Sequence, residues 1–261
     1  MTFYKFQGTG NDFVMIDNRG GHFPKGDTNL VAHLCHRRFG IGADGLILLE
    51  EATGYDFRMV YYNSDGNQSS MCGNGGRCIV AFAKLLGIID RQTKFIATDG
   101  EHHASINADG IVELQMQEVH NILVDEKFVF LNTGSPHHVQ LVGDTNSVDV
   151  KKEGAAIRYG LLYNDKGGSN VNFVTQITDD AFRVRTYERG VEDETYSCGT
   201  GVTATAIAMY ELGKTKQNKI KLHTPGGGLS VSFEKKNGIY RNVWLSGAAT
   251  FVFKGEISCR I

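Results

Sequence analysis

The sequence contains two copies of a Cys-Gly-x-Gly motif, and each copy opens a segment with the composition of a helix. The first segment is CGNGGRCIVAFAKLLG at 72–87, and the second is CGTGVTATAIAMYELG at 198–213. Placed 126 residues apart, the segments match at the cysteine and at both glycines, and each ends in Leu-Gly, which is typical of a helix C-cap. The repeat predicts two similar halves, each with a helix that begins at a cysteine.

The similarity continues into the flanking segments. Phe57, Arg58 and Tyr62 match residues 125 positions later, within the strand-like stretch F182-R-V-R-T-Y187. Such stretches are rich in β-branched and aromatic residues, and tight turns are predicted at the Asp-Gly or Asn-Gly pairs at 65–66, 99–100, 109–110 and 237–238. We therefore predict an α+β fold of mostly antiparallel sheet, with domains at 1–118 and 119–248 and a last strand at 249–261 that returns to the first domain.

Composition limits the classes of partner. The chain has 261 residues, a formal net charge of −2 and 41% hydrophobic residues, which describes a soluble globular protein without the basic excess that grips nucleic acid. No apolar run approaches the ~20 residues that span a bilayer, and the N-terminus lacks a secretion signal. We expect a cytoplasmic protein with no membrane or nucleic-acid partner. Its five cysteines, an odd number, are expected to be free thiols.

A cysteine at a helix start has a specific chemistry. The first turn offers unpaired N–H groups and a partial positive charge, which lower the pKa of a thiol and bind an anion. If both thiols reach one substrate carbon from opposite faces, one can remove a proton while the other delivers one, and the helix donors stabilise the carboxylate. The pattern therefore predicts inversion of a carbon acid, with no cofactor or metal required.

Six motifs occur together in this chain: G10-N-D-F13, N63-S-D-G66, C72-G-N-G-G-R-C78, S169-N-V-N-F173, Y187-E-R-G190 and C198-G-T-G201. In order and spacing they resemble the diaminopimelate epimerase family over nearly the whole chain. The resemblance implies two pseudo-symmetric domains of mostly antiparallel sheet wrapped around a central helix. It also implies interconversion of LL- and meso-2,6-diaminopimelate without pyridoxal phosphate, in lysine and peptidoglycan precursor synthesis, and it is compatible with a homodimer.

The resemblance assigns roles to individual residues. It makes Cys72 and Cys198 the acid/base pair, and it makes His137 and Glu188 residues that tune the thiols. The substrate-binding residues that it implies are Asn11, Asn63, Gly73, Asn74, Ser135, Asn170, Glu188, Arg189, Gly199 and Thr200. Of these, Gly73, Asn74, Gly199 and Thr200 supply backbone donors to the reacting carboxylate.

Two positions depart from the family pattern. Ser135 stands where the family often has asparagine, and Gly45 stands where it often has glutamine. Serine can still donate or accept a hydrogen bond, whereas glycine has no side chain. Recognition of the distal group is therefore expected to differ here, or to use a neighbouring residue or a water.

Other interpretations stay open at this stage. A proline or hydroxyproline racemase-like enzyme is the nearest alternative, and a thiol redox protein or an amino-acid-binding module without activity is a more distant one. The isomerase branch of phenazine biosynthesis is expected to lack the cysteine pair. Cys78 follows Cys72 by six residues, which fits neither a redox motif nor zinc spacing, so we expect Cys78 to lie in the core.

Overall fold

A computed structural model describes residues 1–69, 71–164 and 167–258. The chain folds into two compact units. The first comprises Met1–Leu114 and a C-terminal segment that begins at Gly247, and the second comprises Gln115–Ser246. Within the described residues, no helix is long and apolar enough to cross a membrane.

The described part of the first unit contains two helices among its strands. In chain order its elements are β1 (Thr2–Gly8), β2 (Asn11–Asp17), α1 (Thr28–Cys35), β3 (Gly45–Glu50), β4 (Arg58–Asn63), β5 (Gln68–Ser69), α2 (Gly73–Leu85), β6 (Gln92–Ala97), β7 (Gly100–Ile106) and β8 (Ile111–Gln115). The last strand of the chain, β18 (Thr250–Glu256), pairs with β1 and so completes this unit.

The second unit repeats this order of elements. They are β9 (Leu123–Val124), β10 (Val129–Asn132), β11 (Pro136–Leu141), a short 3-10 helix (Thr145–Ser147), α3 (Val150–Arg158), β12 (Asn170–Thr178), β13 (Ala181–Glu188), β14 (Asp193–Thr195), α4 (Gly199–Glu211), β15 (Lys219–Thr224), β16 (Gly227–Lys236) and β17 (Ile239–Ala248).

Strand pairing is also repeated. In the first unit β2 runs parallel to β3 and β4 runs parallel to β6, while β1–β2, β3–β4, β4–β5 and β6–β7 are antiparallel. In the second unit β11–β12 and β13–β15 are parallel, while β10–β11, β12–β13, β13–β14 and β15–β16 are antiparallel. The predicted α+β class of mostly antiparallel sheet is confirmed, with parallel pairs added in each unit.

Each unit has a buried central helix and a shorter outer helix. In the second unit α4 supplies Val202, Ile207 and Met209 to a core that also contains Phe182 and Leu222. The outer helix α3 packs on the opposite side, where Val150 meets the cluster of Val171, Phe173 and Tyr187. Because side chains alternate between the faces of a strand, even-numbered residues of β12 and β13 face α4, including Asn170, Asn172, Thr186 and Glu188.

The first unit is built in the same way. The outer helix α1 buries Leu30, Val31 and Leu34 against the sheet residues Val14 and Leu46. The other face of β2, β3 and β4 turns toward α2. Cys78 lies fully buried on α2, as expected from its spacing.

Both central helices end in the same way. The Ile88 and Gly87 N–H groups donate to Ala83 and Lys84 carbonyls at 3.0 Å, and the Lys214 and Gly213 N–H groups make the equivalent bonds at 3.0 Å. Gly87 and Gly213 have φ of 70° and 65°, which is the left-handed conformation of a Schellman C-cap. The two Leu-Gly helix ends predicted from sequence are therefore observed.

Candidate active site

Both motif cysteines occupy the N-cap position of a central helix. Cys72 precedes α2 and Cys198 precedes α4, each in an extended backbone conformation. Cys72 Sγ accepts a hydrogen bond from the Gly75 N–H at 3.2 Å. Cys198 is 8% exposed. Each thiol therefore lies at the donor end of a helix, where an anion is stabilised.

The second glycine of each motif lets the helix start approach the sheet. A Cβ on Gly201 would lie 2.5 Å from Asn172 Oδ1, and a Cβ on Gly75 would lie 3.1 Å from Ile47 Cδ1. The distance at Gly201 is too short for any ordinary contact, and the distance at Gly75 would be a tight contact. Because these glycines have no side chain, each helix start, with its thiol, lies close to side chains of the neighbouring strands.

Asn11 presents its carbonyl oxygen to Cys72. Its Nδ2 donates to Asp44 Oδ2 at 2.6 Å, so Oδ1 points the other way. Cys72 Sγ lies 3.8 Å from this oxygen, and Asn74 Nδ2 lies 3.4 Å from it. Asn11, Cys72 and Asn74, three of the residues that the family resemblance assigned to the site, are therefore in contact.

Asp44 is itself held by a cluster of charges. Arg37 Nη2 lies 2.6 Å from Asp44 and 2.7 Å from Asp12, and Lys5 Nζ lies 2.8 Å from Asp12. Burial alone would raise the pKa of Asp12, but hydrogen bonds from Arg37 and Lys5 hold that pKa well below its usual range. The Asp12 carboxylate thus stays ionised, and Arg37 holds Asp44, which orients Asn11, in place.

A fully buried arginine supports the start of α2. Arg77 is 0% exposed and donates to Thr9 Oγ1 and Asn74 Oδ1, both at 3.0 Å, and to the Gly73 carbonyl at 3.2 Å. Burial lowers the pKa of Arg77, and the nearby Cys78 and Cys72 thiols oppose this effect. The guanidinium therefore fixes the Gly73-Asn74 turn and adds positive charge near Cys72.

Cys198 lies at the end of a line of hydrogen-bonded side chains. Its Sγ is 3.4 Å from Thr200 Oγ1, which is 2.9 Å from His137 Nε2. His137 Nδ1 is 3.1 Å from Asn172 Nδ2. His137 is fully buried, and burial together with the charge of Arg189 lowers the pKa of His137 to about 3. The imidazole is therefore neutral at physiological pH.

Asn170 connects the other assigned residues of the second unit. Its Nδ2 donates to Ser135 Oγ at 2.9 Å and to the Pro136 carbonyl at 3.0 Å, while its Oδ1 accepts from the Arg189 N–H at 2.9 Å. Glu188 Oε2 accepts from Thr195 Oγ1 at 2.9 Å. Asn170 is 3% exposed, so its contacts in this structure hold Ser135 and the Glu188-Arg189 turn in place.

Asn63 and Gly45 lie opposite each other on β4 and β3. Asn63 is exposed at the end of its strand. A Cβ on Gly45 would lie 2.5 Å from Tyr61 Cε2 and 2.6 Å from the Tyr62 carbonyl. The family's glutamine therefore cannot be accommodated at position 45 unless this tyrosine side chain and the strand move.

Sequence reasoning missed Arg77, Asp44 and Asn172 as site residues. Asn172 had a signal, because it follows Asn170 by two residues and so shares its strand face. Arg77 had none, since nothing in a sequence shows that an arginine on a helix will be fully buried.

The other thiols have a different environment. Burial raises the pKa of the Cys35 and Cys78 thiols to about 12, so both stay protonated. Cys35, Cys72, Cys78 and Cys198 are all thiols, as predicted, while Cys259 lies outside the described residues. Among the residues that the structure describes, no group of three or more histidine, cysteine or carboxylate side chains could hold a metal ion.

Comparison with solved structures agrees with the fold. A PhzF-family phenazine biosynthesis protein from Bacillus anthracis superposes with a TM-score of 0.78 at 11% identity, covering 99% of each chain. A hydroxyproline epimerase from Agrobacterium vitis superposes with a TM-score of 0.69 at 15% identity, covering 98% of this chain and 91% of that one. At such identities the likeness shows the fold alone.

Sequence comparison goes further. The family model "Diaminopimelate epimerase" matches residues 3–122 and 129–252. A diaminopimelate epimerase of Flavobacterium psychrophilum is 61% identical, covering 98% of this chain and 100% of that protein. One of Aquifex aeolicus is 39% identical over 99% of this chain and 98% of its own length. The chain therefore belongs to the diaminopimelate epimerase family and is an isomerase.

Proposed function

We propose that this enzyme interconverts LL- and meso-2,6-diaminopimelate by two-base proton transfer, with Cys72 and Cys198 acting on opposite faces of one α-carbon. The observation that carries the proposal is the placement of both thiols at the N-cap of a buried central helix, in two units of matching topology. Two relatives that cover 98% and 99% of this chain are named diaminopimelate epimerase.

The chemistry balances without a net change in the enzyme's charge. One thiolate takes the α-proton and becomes a thiol, and the negative charge spreads into the substrate carboxylate. N–H groups of Gly73-Asn74 and Gly199-Thr200 stabilise that charge as it develops. The opposite thiol then delivers its proton to the other face and becomes a thiolate. The reverse reaction starts from this second state.

The remaining assigned residues would hold the substrate. Glu188 and Arg189 supply a carboxylate for an ammonium group and a guanidinium for a carboxylate, and Asn11, Asn63, Asn170 and Ser135 supply polar groups beside them. His137 acts through Thr200 rather than on the substrate, because it is fully buried.

The cellular setting follows from the reaction. An enzyme that makes meso-diaminopimelate would serve lysine and peptidoglycan precursor synthesis, which places it in the cytoplasm. Assembly as a homodimer is part of the proposal. Sedimentation velocity at micromolar concentration tests it, and a monomer mass would refute this part alone.

The proposal is tested by incubating the purified, reduced enzyme with LL-diaminopimelate in D2O and following the stereoisomers by chiral chromatography and mass spectrometry. The donor thiol is deuterated before substrate arrives, so the inverted product should carry deuterium from the first turnover. Early recovered substrate should stay largely protonated, because the abstracting thiol tends to return the substrate's own proton.

Single-cysteine variants provide the second arm. Cys72→Ala and Cys198→Ala should each abolish epimerisation, since neither face can substitute for the other. Cys78→Ala is the matched control, because that thiol lies on the same helix as Cys72 but is buried and takes no part. A product without solvent deuterium, or a near wild-type rate in either active-site variant, would show that the two-base mechanism is wrong.

A proline or hydroxyproline racemase-like activity is the alternative. Its support is the fold shared with a hydroxyproline epimerase. Both amino acids should be tested in the same assay, and turnover of either, with none of diaminopimelate, would replace the proposal.

A further inference from the structure

The amide of Asn172 has a fixed orientation in the core of the second unit. Its Nδ2 lies 3.0 Å from the His138 carbonyl, which can only accept a hydrogen bond. Its Oδ1 lies 3.0 Å from Thr186 Oγ1, which donates to it. Asn172 and Thr186 are 0% and 3% exposed, so no bulk water competes for these bonds. The nitrogen end of the amide therefore faces both the His138 carbonyl and His137.

This orientation decides the tautomer of His137. The second hydrogen of Asn172 Nδ2 points at His137 Nδ1, 3.1 Å away, so Nδ1 must accept and carries no proton. A neutral imidazole has its proton on the other nitrogen. His137 Nε2 therefore carries the proton and donates it to Thr200 Oγ1 at 2.9 Å.

The Thr200 hydroxyl can then donate to Cys198. Among the described residues, the polar side-chain neighbours of Thr200 Oγ1 are His137 Nε2 and Cys198 Sγ, the latter at 3.4 Å. Because the oxygen accepts from His137, its own hydrogen is available to the sulfur. A hydrogen bond donated to sulfur favours the thiolate over the thiol.

The first unit has no such line at the equivalent positions. Ile47 pairs with Met15 and Tyr61 as Asn172 pairs with Val139 and Thr186, so Ile47 matches Asn172. By the same registers Phe13 matches His137 and Tyr61 matches Thr186. Phe13 and Ile47 are apolar, so the repeated fold does not itself require polar side chains at the positions of His137 and Asn172, which indicates that this pair serves Cys198 rather than the fold.

We propose that Asn172 is a positioning residue that holds His137 in its Nε2-protonated form, so that Thr200 donates a hydrogen bond to Cys198 and stabilises the Cys198 thiolate. The proposal rests on the proposed function, in which Cys198 is one of the two bases. It assigns Asn172 a role three hydrogen bonds away from the thiol, through His137 and Thr200.

The charged groups beside this line do not decide the tautomer of His137. Arg189 is the charge whose field reaches His137, and it disfavours a second proton on the ring, which supports the neutral form. Glu188 lies on the same strand face as Thr186 and accepts from Thr195. Neither group sets which ring nitrogen of the neutral imidazole is protonated.

The tautomer can be measured directly. In protein labelled with 15N-histidine, two-bond 1H–15N spectra distinguish a ring nitrogen that carries hydrogen from one that does not, and the His137→Gln variant assigns the signal. We expect His137 Nε2 to be protonated and Nδ1 to be bare in the free, reduced enzyme. A protonated Nδ1 would overturn the proposal, whatever the activity of the enzyme.

The consequence for the thiol is tested by alkylation. Iodoacetamide labelling with peptide mapping gives the rate at each cysteine as a function of pH. Asn172→Leu, which keeps the side-chain size but cannot donate, should slow labelling of Cys198 by at least about tenfold at neutral pH, the effect of losing a hydrogen bond to a charged group. Labelling of Cys72 should change by less than about twofold. Ile47→Leu, at the matching position of the first unit, should leave Cys198 unchanged.

A second pair of variants tests the same hydrogen-bond line in case Asn172→Leu does not fold. Thr200→Val removes the donor and should slow labelling of Cys198, whereas Thr200→Ser keeps the hydroxyl and should retain most of the rate. Equal rates in these two variants would contradict the proposal even if the enzyme epimerises diaminopimelate normally. Conversely, an enzyme that labels as expected but does not epimerise would refute the proposed function and leave this inference standing.

Discussion

The two motif thiols have different neighbours although their helices match. Arg77 lies five residues after Cys72 and brings a buried guanidinium to the first unit, whereas the matching residue of the second unit is Thr203, whose hydroxyl bonds to the Gly199 carbonyl at 2.9 Å. Cys198 is instead linked through Thr200 to the neutral His137. One thiol therefore has a lasting positive charge nearby, and the other has a ring that can gain charge in acid.

His137 should make the protein sensitive to acid. Burial lowers the pKa of His137 from 6.5 to about 3, so the unfolded chain binds this proton at a higher pH than the folded one does. The stability from neutral burial is thus complete above about pH 6.5 and is lost as the pH falls toward 3. Between pH 7 and pH 4.5 the free energy of unfolding should fall by about 2–3 kcal/mol on account of this residue alone.

Urea unfolding of the wild type and of His137→Gln at the two pH values measures this difference. His138, which burial also keeps neutral with a pKa lowered to about 4, is present in both proteins and serves as the internal control. The wild type should lose about 2–3 kcal/mol more than the variant. Equal losses would show that His137 is not buried in its neutral form.

At the scale of elements, the two central helices end on glycines that no neighbour crowds. Gly87 and Gly213 have no atom within 4 Å of a Cβ placed on them, so only their positive φ argues for glycine. A left-handed conformation costs a non-glycine residue about 1–2 kcal/mol. Substitution of Gly87 and substitution of Gly213 should therefore destabilise the protein to a similar extent.

Gly87→Ala and Gly213→Ala should each lower the free energy of unfolding by about 1 kcal/mol, measured by urea titration. Gly26→Ala and Gly143→Ala are the controls in the first and second unit, because these glycines are equally uncrowded but do not have positive φ. They should be neutral or slightly stabilising. The expectation fails if the cap variants are no less stable than the controls.

The sequence predicted the central helices well, because a cysteine, two glycines and a Leu-Gly end recur at a fixed spacing. Strands were predicted at 57–62 and 182–187, and the structure has strands at Arg58–Asn63 and Ala181–Glu188. The parallel pairs in each unit were not predicted, since local patterns do not show which strands become neighbours. The contacts of Asn172 and Arg77 could not be predicted for the same reason, because they join residues that are brought together only by strand order and helix packing.

At the scale of the whole molecule, the first unit is completed by the end of the chain. β18 pairs with β1 so that Thr2 lies opposite Glu256, and the Met1 amino group donates to the Ile257 carbonyl at 2.8 Å. The Phe6 and Phe251 rings lie 5.4 Å apart across this pairing. β18 therefore supplies both backbone bonds and apolar contacts to β1.

Removal of β18 should damage the first unit selectively. A chain that stops before Thr250 should lose amide exchange protection in β1 and α2, while α4 in the second unit keeps it. Hydrogen–deuterium exchange with mass spectrometry measures both units in one experiment. A chain that stops after Glu256 keeps the strand and is the control. Uniform loss of protection would mean that the second unit also needs β18.

The discontinuity of the first unit has a consequence for how the protein is made. A ribosome delivers about 5–20 residues per second, so roughly 7–27 s separate the end of the first unit's main segment from the arrival of β18. The second unit is encoded without interruption in Gln115–Ser246, with its own short outer strand, β9, preceding β10. It can finish folding first, although it is translated second. During that interval the edge of β1 that later pairs with β18 has no partner from its own chain, and an open strand edge invites pairing with neighbouring nascent chains. Crowding on polysomes should therefore limit the yield of this protein more than the stability of its finished form does.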